Sequence, residues 1–126
     1  MKVSVKVFKL TIGSSGYEAI DLTENVKEVI LNSGLVNGVA VVHTPSRYCS
    51  VTMIEYEPEL LADLEEFISK CGGISGIGEA LIGKSVVAPV VNSELRLGTF
   101  KRIVWIDFSK VSGDKEVTVV LEGIFK

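Results

Sequence analysis

A chain of 126 residues and 13.6 kDa has the length of one domain, which excludes a second catalytic domain within it. Lys plus Arg number 13 against 16 Asp plus Glu, a net charge of -3, so no basic excess marks the chain for nucleic acid or an anionic membrane surface. One His and two Cys exclude a conventional His/Cys zinc site and a disulfide framework within a single chain.

Mean hydropathy is +0.39, high for so small a domain, which buries only about two-thirds of its unfolded surface. Apolar surface left over after folding predicts a partner face, and an oligomer is the preferred outcome. No apolar run reaches the roughly 18 residues of a membrane helix. The stretch from Met1 to Leu10 alternates Val3, Val5 and Val7 with Ser4 and Lys6 and has no signal-peptide core, so a cytoplasmic protein with reduced Cys49 and Cys71 is expected.

Val and Ile together number 30 against 11 Leu, and branching at Cβ favours strands. In chain order the predicted strands are Val3 to Ile12, Tyr17 to Ile20, Gly38 to His43, Cys49 to Tyr56, Ser85 to Val91, Thr99 to Phe108 and Glu116 to Phe125. A first helix falls between the second and third strands. Asp21 and Glu24 have capping-box spacing, Val26, Val29 and Ile30 form a stripe, and Gly34 ends it. The second starts at Pro58, a favoured first-turn residue. Leu60, Leu61, Leu64, Phe67 and Ile68 face the core, Glu59, Asp63, Glu66 and Lys70 face solvent, and Gly72-Gly73 stops it. A short third helix is expected from about Gly76 to Ile82. The run Val86 to Val91 is near-continuously apolar and reads as a strand covered on both faces, with Pro89 at an edge, a bulge or a strand start. The segment Lys110 to Lys115 is expected to turn the last two strands into a hairpin. With no repeat or linker, these elements make one α+β domain over residues 1–126.

Four local patterns carry candidate chemistry. Gly78 to Ser85 satisfies GxxxxGK[ST], but a phosphate-binding loop needs a strand before it and a helix after it, and here the order is reversed. His43 ends an apolar strand, where a histidine bonded to backbone competes with acid/base or metal-ligand chemistry. Glu55 would lie beside His43 if the two strands form a hairpin, or be an exposed strand carboxylate. Ser46, Ser50 and Thr52 show no nucleophile spacing, and Cys49 reads as a structural thiol. Leu97 to Arg102 combines a glycine, the Thr99 hydroxyl and two cations, a set that receives a phosphate or merely opens a strand.

The order Gly38…His43-Thr44, Ile54-Glu55…Pro58…Asp63-Leu64, Ala80-Leu81-Ile82-Gly83-Lys84-Ser85…Pro89-Val90-Val91 and Leu95…Leu97-Gly98-Thr99-Phe100 resembles the YjbQ family over nearly the whole chain. Its most specific part is the LxLGT stretch with LxGxSxxxPV before it. The resemblance implies a β-sandwich of mostly antiparallel strands with two main helices, assembled as a cytoplasmic homotrimer. It also implies thiamine-phosphate synthase-like or related phosphate-ester chemistry on a phosphorylated small molecule, at a histidine cluster near subunit boundaries that holds a divalent metal. By position it carries over His43 and Glu55 as catalytic, His43 also as metal ligand, and Thr99 and Asp107 as substrate-binding. Lys101, which stands at a family glutamine position, joins the substrate-binding set from its place in the Leu97 to Arg102 stretch. The chain departs from the family pattern in reading His43-Thr44-Pro45-Ser46 in place of HTTA. Gly76 stands at a family histidine position, and the loop Cys71 to Ser75 is shortened where another histidine belongs. Those departures keep a second reading open, a non-catalytic trimeric module that binds a ligand or a protein through a degenerate site.

Overall fold

A computed structural model of the chain describes residues 2–71 and 76–126, the side chain at 71 excepted. Its elements are β1 (Ser4–Ser14), β2 (Glu18–Asp21), α1 (Thr23–Ser33), β3 (Leu35–His43), β4 (Cys49–Glu55), α2 (Pro58–Cys71), α3 (Ile77–Ile82), β5 (Ser85–Val91), β6 (Glu94–Leu95), β7 (Lys101–Asp107) and β8 (Gly113–Phe125). The strands form a five-stranded sheet, β1-β8-β3-β5-β6, and a three-stranded sheet, β2-β7-β4. Every pairing among them is antiparallel, so the architecture is the expected α+β sandwich. No helix among the described residues is long and apolar enough to cross a membrane.

β-Branched runs become strands where predicted, and β5 has the expected bounds. The two-residue β6 leaves no periodic signal and was not anticipated. Its brevity suits Pro89. Arg96 N–H donates to the Pro89 carbonyl on the β6 side, so the missing proline N–H also points to that edge, just where β6 runs out.

The hairpin expected of the last two strands does not form, and of the two readings left open for Glu55 the structure has the exposed strand carboxylate and not the hairpin beside His43. β3 joins the larger sheet and β4 the smaller, so the chain leaving His43 changes sheets instead of returning beside it. The segment after Asp107 likewise crosses from β7 to β8 on the opposite sheet. The reason is shared: each of these strands has an apolar inner face, and stacking two sheets buries both faces at once where a flat hairpin would bury neither. The capping box is also corrected. Leu22, whose buried side chain has no hydrogen-bonding atom, holds the N-cap position, while Asp21 one residue earlier accepts the Thr23 N–H through Oδ1 at 2.9 Å and Glu24 turns to Arg102. Gly34 ends α1 as expected, with φ 82°. α2 begins at Pro58 as expected; Gly72-Gly73 lies outside the described residues.

The main core lies between the sheets. Ile12, Val42, Val119 and Leu121 of the larger sheet meet Val51, Ile103 and Trp105 of the smaller, while Val26 and Ile30 of α1 close one side. On the far face of β7, Val104 and Ile106, with Phe108 just beyond the strand, pack against Leu64, Phe67 and Ile68 of α2. Phe67 and Phe108 meet edge to face at 5.9 Å, and a Cβ at Gly78 would fall 2.7 Å from the Phe108 ring, so α3 approaches that ring only as glycine. Trp105 Nε1 donates to the buried Thr44 hydroxyl at 3.1 Å, and Thr44 donates to the Glu116 carbonyl at 2.9 Å, linking the two sheets. β3 and β8 approach most closely at Gly38 and Gly123, where a Cβ on either would collide with backbone of the other strand.

The outer face of the larger sheet is different. Across four strands the register aligns Val7, Val120, Val41 and Val87, and Val7 and Val87 are 64% and 60% exposed. The run Val86 to Val91 is therefore covered on one face only within a single chain, contrary to the two-sided cover expected of it.

A fully buried carboxylate, Asp107, ties the end of the smaller sheet to the larger. Its Oδ2 accepts from Ser14 Oγ at 2.6 Å and Lys115 Nζ at 2.8 Å; its Oδ1 accepts from Ser109 N and Oγ at 2.8 and 2.7 Å. Burial pushes its pKa up, but the hydrogen bonds from Lys115, Ser14 and Ser109 outweigh burial and hold it below the usual 3.8.

Two stability outcomes follow from these contacts. Gly38→Ala is expected to lower unfolding free energy by about 3 kcal/mol, the upper end of overpacking costs, in urea titration. Asp107→Asn is expected to cost about 3 kcal/mol at neutral pH by stranding Lys115. A depressed carboxyl contributes stability above its ordinary pKa and loses it as pH falls through the folded value. The gap in urea midpoint between wild type and Asp107→Asn should therefore close as pH drops below 3.8.

Candidate functional site

The chain from β6 to β7 builds a basic cleft. Leu95 and Leu97 pack onto the main core, so the alternation of an extended segment turns Arg96 outward between them. Gly98 at φ 101° and Phe100 at φ 59° then fold the chain back, with Lys101 N–H donating to the Gly98 carbonyl at 3.3 Å. The result is a cavity of about 630 Å³ lined by Arg96, Gly98, Thr99, Lys101 and Arg102, with Lys27 contributed by α1 and Glu94 by β6.

Its electrostatics are uneven. Arg102 is committed: Nε meets Asp21 at 2.7 Å and Nη2 meets Glu24 at 3.4 Å. The Asp21 hydrogen bond, outweighing burial, raises the Arg102 pKa. Burial raises Asp21 in turn, but Thr23 and Arg102 together bring it below the usual carboxylate value. The other three cations are held loosely, Lys27 to Glu24, Arg96 to Glu94 and Lys101 to Glu55, each at 3.7 Å between partly exposed groups. Such pairs contribute little and exchange readily for another anion. Three weakly paired cations beside an exposed threonine and a glycine turn can hold a phosphate or carboxylate by charge-assisted hydrogen bonds.

The residues singled out from sequence fall into three places. Thr99 and Lys101 share the basic cleft, and Glu55 is the cross-strand neighbour of Lys101. His43 stands elsewhere. It pairs in register with Ser85, which pairs to the opposite end of β5 from β6, about 17 Å of strand from the cleft within one chain. There His43 Nδ1 lies 2.6 Å from Ser85 Oγ, on the outer sheet face in the row next to the valines, alongside Thr118. Glu55 is equally remote, since β4 carries it about 20 Å beyond Cys49. Asp107 is enclosed in the Ser14–Ser109–Lys115 knot and faces no cleft.

The remaining sequence features have structural employment. Lys84 of the GxxxxGKS pattern donates to the Ser46 and Cys49 carbonyls at 2.6 and 2.8 Å and to Glu79 at 2.9 Å, and β5 follows it where a phosphate-binding loop needs a helix. Cys49 is buried, and burial, with the Asp107 charge next in weight, pushes its thiol up to about 12. Gly76 adopts φ 73°, a left-handed conformation that disfavours a side chain there, while the Tyr48 ring, 3.6 Å from where its Cβ would be, makes only ordinary contact. Among the described residues no group of three or more His, Cys, Asp or Glu is placed to hold a metal. Sequence reasoning missed Arg96, Lys27 and Ser85. Alternation between Leu95 and Leu97 signals Arg96, whereas Lys27 and Ser85 reach their neighbours only through tertiary contact.

Sequence and fold are both similar to those of known proteins. The family model described as "UPF0047 protein YjbQ-like" matches residues 8–123. A UPF0047 protein of Archaeoglobus fulgidus is 30% identical over 105 residues, covering 72% of this chain and 81% of that protein. A hypothetical protein of Aeropyrum pernix has a crystal structure that superposes with TM-score 0.83 at 29% identity, covering 94% of this chain and 99% of the other. A YbjQ-like protein of unknown function from Sulfolobus solfataricus shares the fold, with TM-score 0.87 at 20% identity over 98% of this chain and all of the other. With the match running from β1 through β8 and taking in the LRLGT turn, this chain belongs to the YjbQ (UPF0047) family.

Proposed function

We propose that the protein is a cytoplasmic homotrimer that binds a phosphorylated small molecule in the LRLGT cleft and acts on it by thiamine-phosphate-type or related phosphate-ester chemistry. The observation that carries this reading is the cleft itself. Lys27, Arg96 and Lys101 are weakly paired around the Gly98–Thr99 turn, at the most specific motif of the family resemblance. Thr99 and Lys101 hold the anion, and Glu55 restrains Lys101 until the ligand takes its place.

Assembly supports the reading in two ways. The valine row of the larger sheet is the sort of apolar surface that a second subunit covers. His43 stands on that same face, so trimer formation through it would bring histidines to the subunit boundary. In this reading His43, oriented by Ser85, is the acid/base or the metal ligand completed by neighbouring subunits. A specific observation favours the second reading, a binding module without catalysis: within one chain His43 has a hydroxyl as its close polar neighbour and stands far from both the cleft and Glu55.

Native mass spectrometry is expected to report a trimer, and Val41→Asp to convert it to monomer; a wild-type monomer would remove the assembly argument. Inorganic phosphate titrated by calorimetry is expected to bind, with Arg96→Ala plus Lys101→Ala weakening it about tenfold or more. If turnover of a phosphate ester is detected, His43→Ala should abolish it while leaving phosphate binding in place. Phosphate binding with no turnover identifies the non-catalytic module.

A further inference from the structure

A second cavity, of about 580 Å³, opens between α2 and the β2–β7 face, within the size range of small-molecule sites. Its floor is apolar: Leu61, Leu64 and Ile68 come from α2 and Val104 from β7. Tyr17 and Tyr56 line it although 41% and 51% of their surfaces remain exposed, which leaves aromatic surface available to a ligand. Tyr17 is fixed there by backbone. Its φ is 47°, its N–H donates to the Ser109 carbonyl at 2.9 Å, and a Cβ on the preceding Gly16 would lie 2.9 Å from that same carbonyl.

The charge of this lining is one-sided. Glu18, Asp21 and Glu65 border the cavity, and among the described residues no Lys, Arg or His does. Asp21 is compensated by Arg102 at 2.7 Å. Glu18 accepts from the Ser15 N–H through Oε1, a neutral donor that leaves its charge in place. Uncompensated carboxylates, tyrosine faces and an apolar floor together repel anions and attract a cation that carries its own apolar body.

We propose that this cavity binds an organic cation, a protonated or quaternary ammonium on an aromatic or branched aliphatic body. The head meets Glu18 and Glu65 and the tyrosine rings, and the body rests on Leu64 and Val104. The Asp21–Arg102 pair stands between this site and the basic cleft, since Asp21 lines one and Arg102 the other. The proposal rests on neither the trimer nor the phosphate reading.

The test uses the full chain and three probes of similar shape: phenethylammonium, neutral 2-phenylethanol and phenylpropionate, followed by NMR shifts and calorimetry. Phenethylammonium is expected to bind at least about tenfold more tightly than the alcohol, with phenylpropionate weakest. Tyr56→Leu and the surface change Glu65→Gln are each expected to weaken it several-fold, with urea midpoints unchanged for Glu65→Gln. Equal affinity for the alcohol and the ammonium, or an ammonium affinity indifferent to both Glu65→Gln and Glu18→Gln, overturns the proposal. Inorganic phosphate titrated into the same Glu65→Gln sample should bind as in wild type, so failure here and failure of the phosphate cleft are told apart.

Discussion

The burial of β7 on both faces is the constraint around which the rest of the molecule is arranged. From Ile103 through Asp107 every residue is buried, one face looking across the sandwich and the other into α2. A strand so placed presents no polar face to water and must therefore be covered twice, which calls for a second sheet on one side and helices on the other. The crossing of β3 to β4 and the crossing of β7 to β8 both satisfy that requirement. At each end of β7 a charged group is compensated locally. Arg102 meets Asp21 at one end, and Asp107 meets Lys115 with two serines at the other.

This arrangement separates the candidate chemistry. Strands several residues long carry His43 to one end of the larger sheet and the LRLGT turn to the other, so one chain does not bring them together. The exposed valine row lies beside His43 and not beside the LRLGT turn. The basic cleft and the α2 cavity differ in sign, with the Arg102–Asp21 pair between them: basic groups gather where the β6–β7 loop turns, and carboxylates gather where β2 and α2 meet.

Much of the local structure was legible from the residues. β-Branching placed the longer strands, Pro58 placed the start of α2, Gly34 placed the end of α1, and the reversed order around Lys84 argued against a nucleotide loop. That Thr99 and Lys101 share one turn was legible because glycine, hydroxyl and cation fall within four residues, Gly98 to Lys101. Asp107 entered only through its position in the family resemblance, as a substrate-binding carboxylate, and its burial was not legible, since its partners Ser14 and Lys115 come from β1 and β8.

What the sequence determined by itself, then, was periodicity, the Gly34 end of α1, the scarcity of histidine and an excess of apolar surface, because each depends on composition or on neighbours a few residues apart. Which strands pair was decided only in the tertiary structure. So was the separation of His43 from Glu55, and so was the gathering of Lys27 with Arg96 into one cleft. Sheet membership follows from burying two faces of β7 at once, a long-range condition that no short window of residues contains.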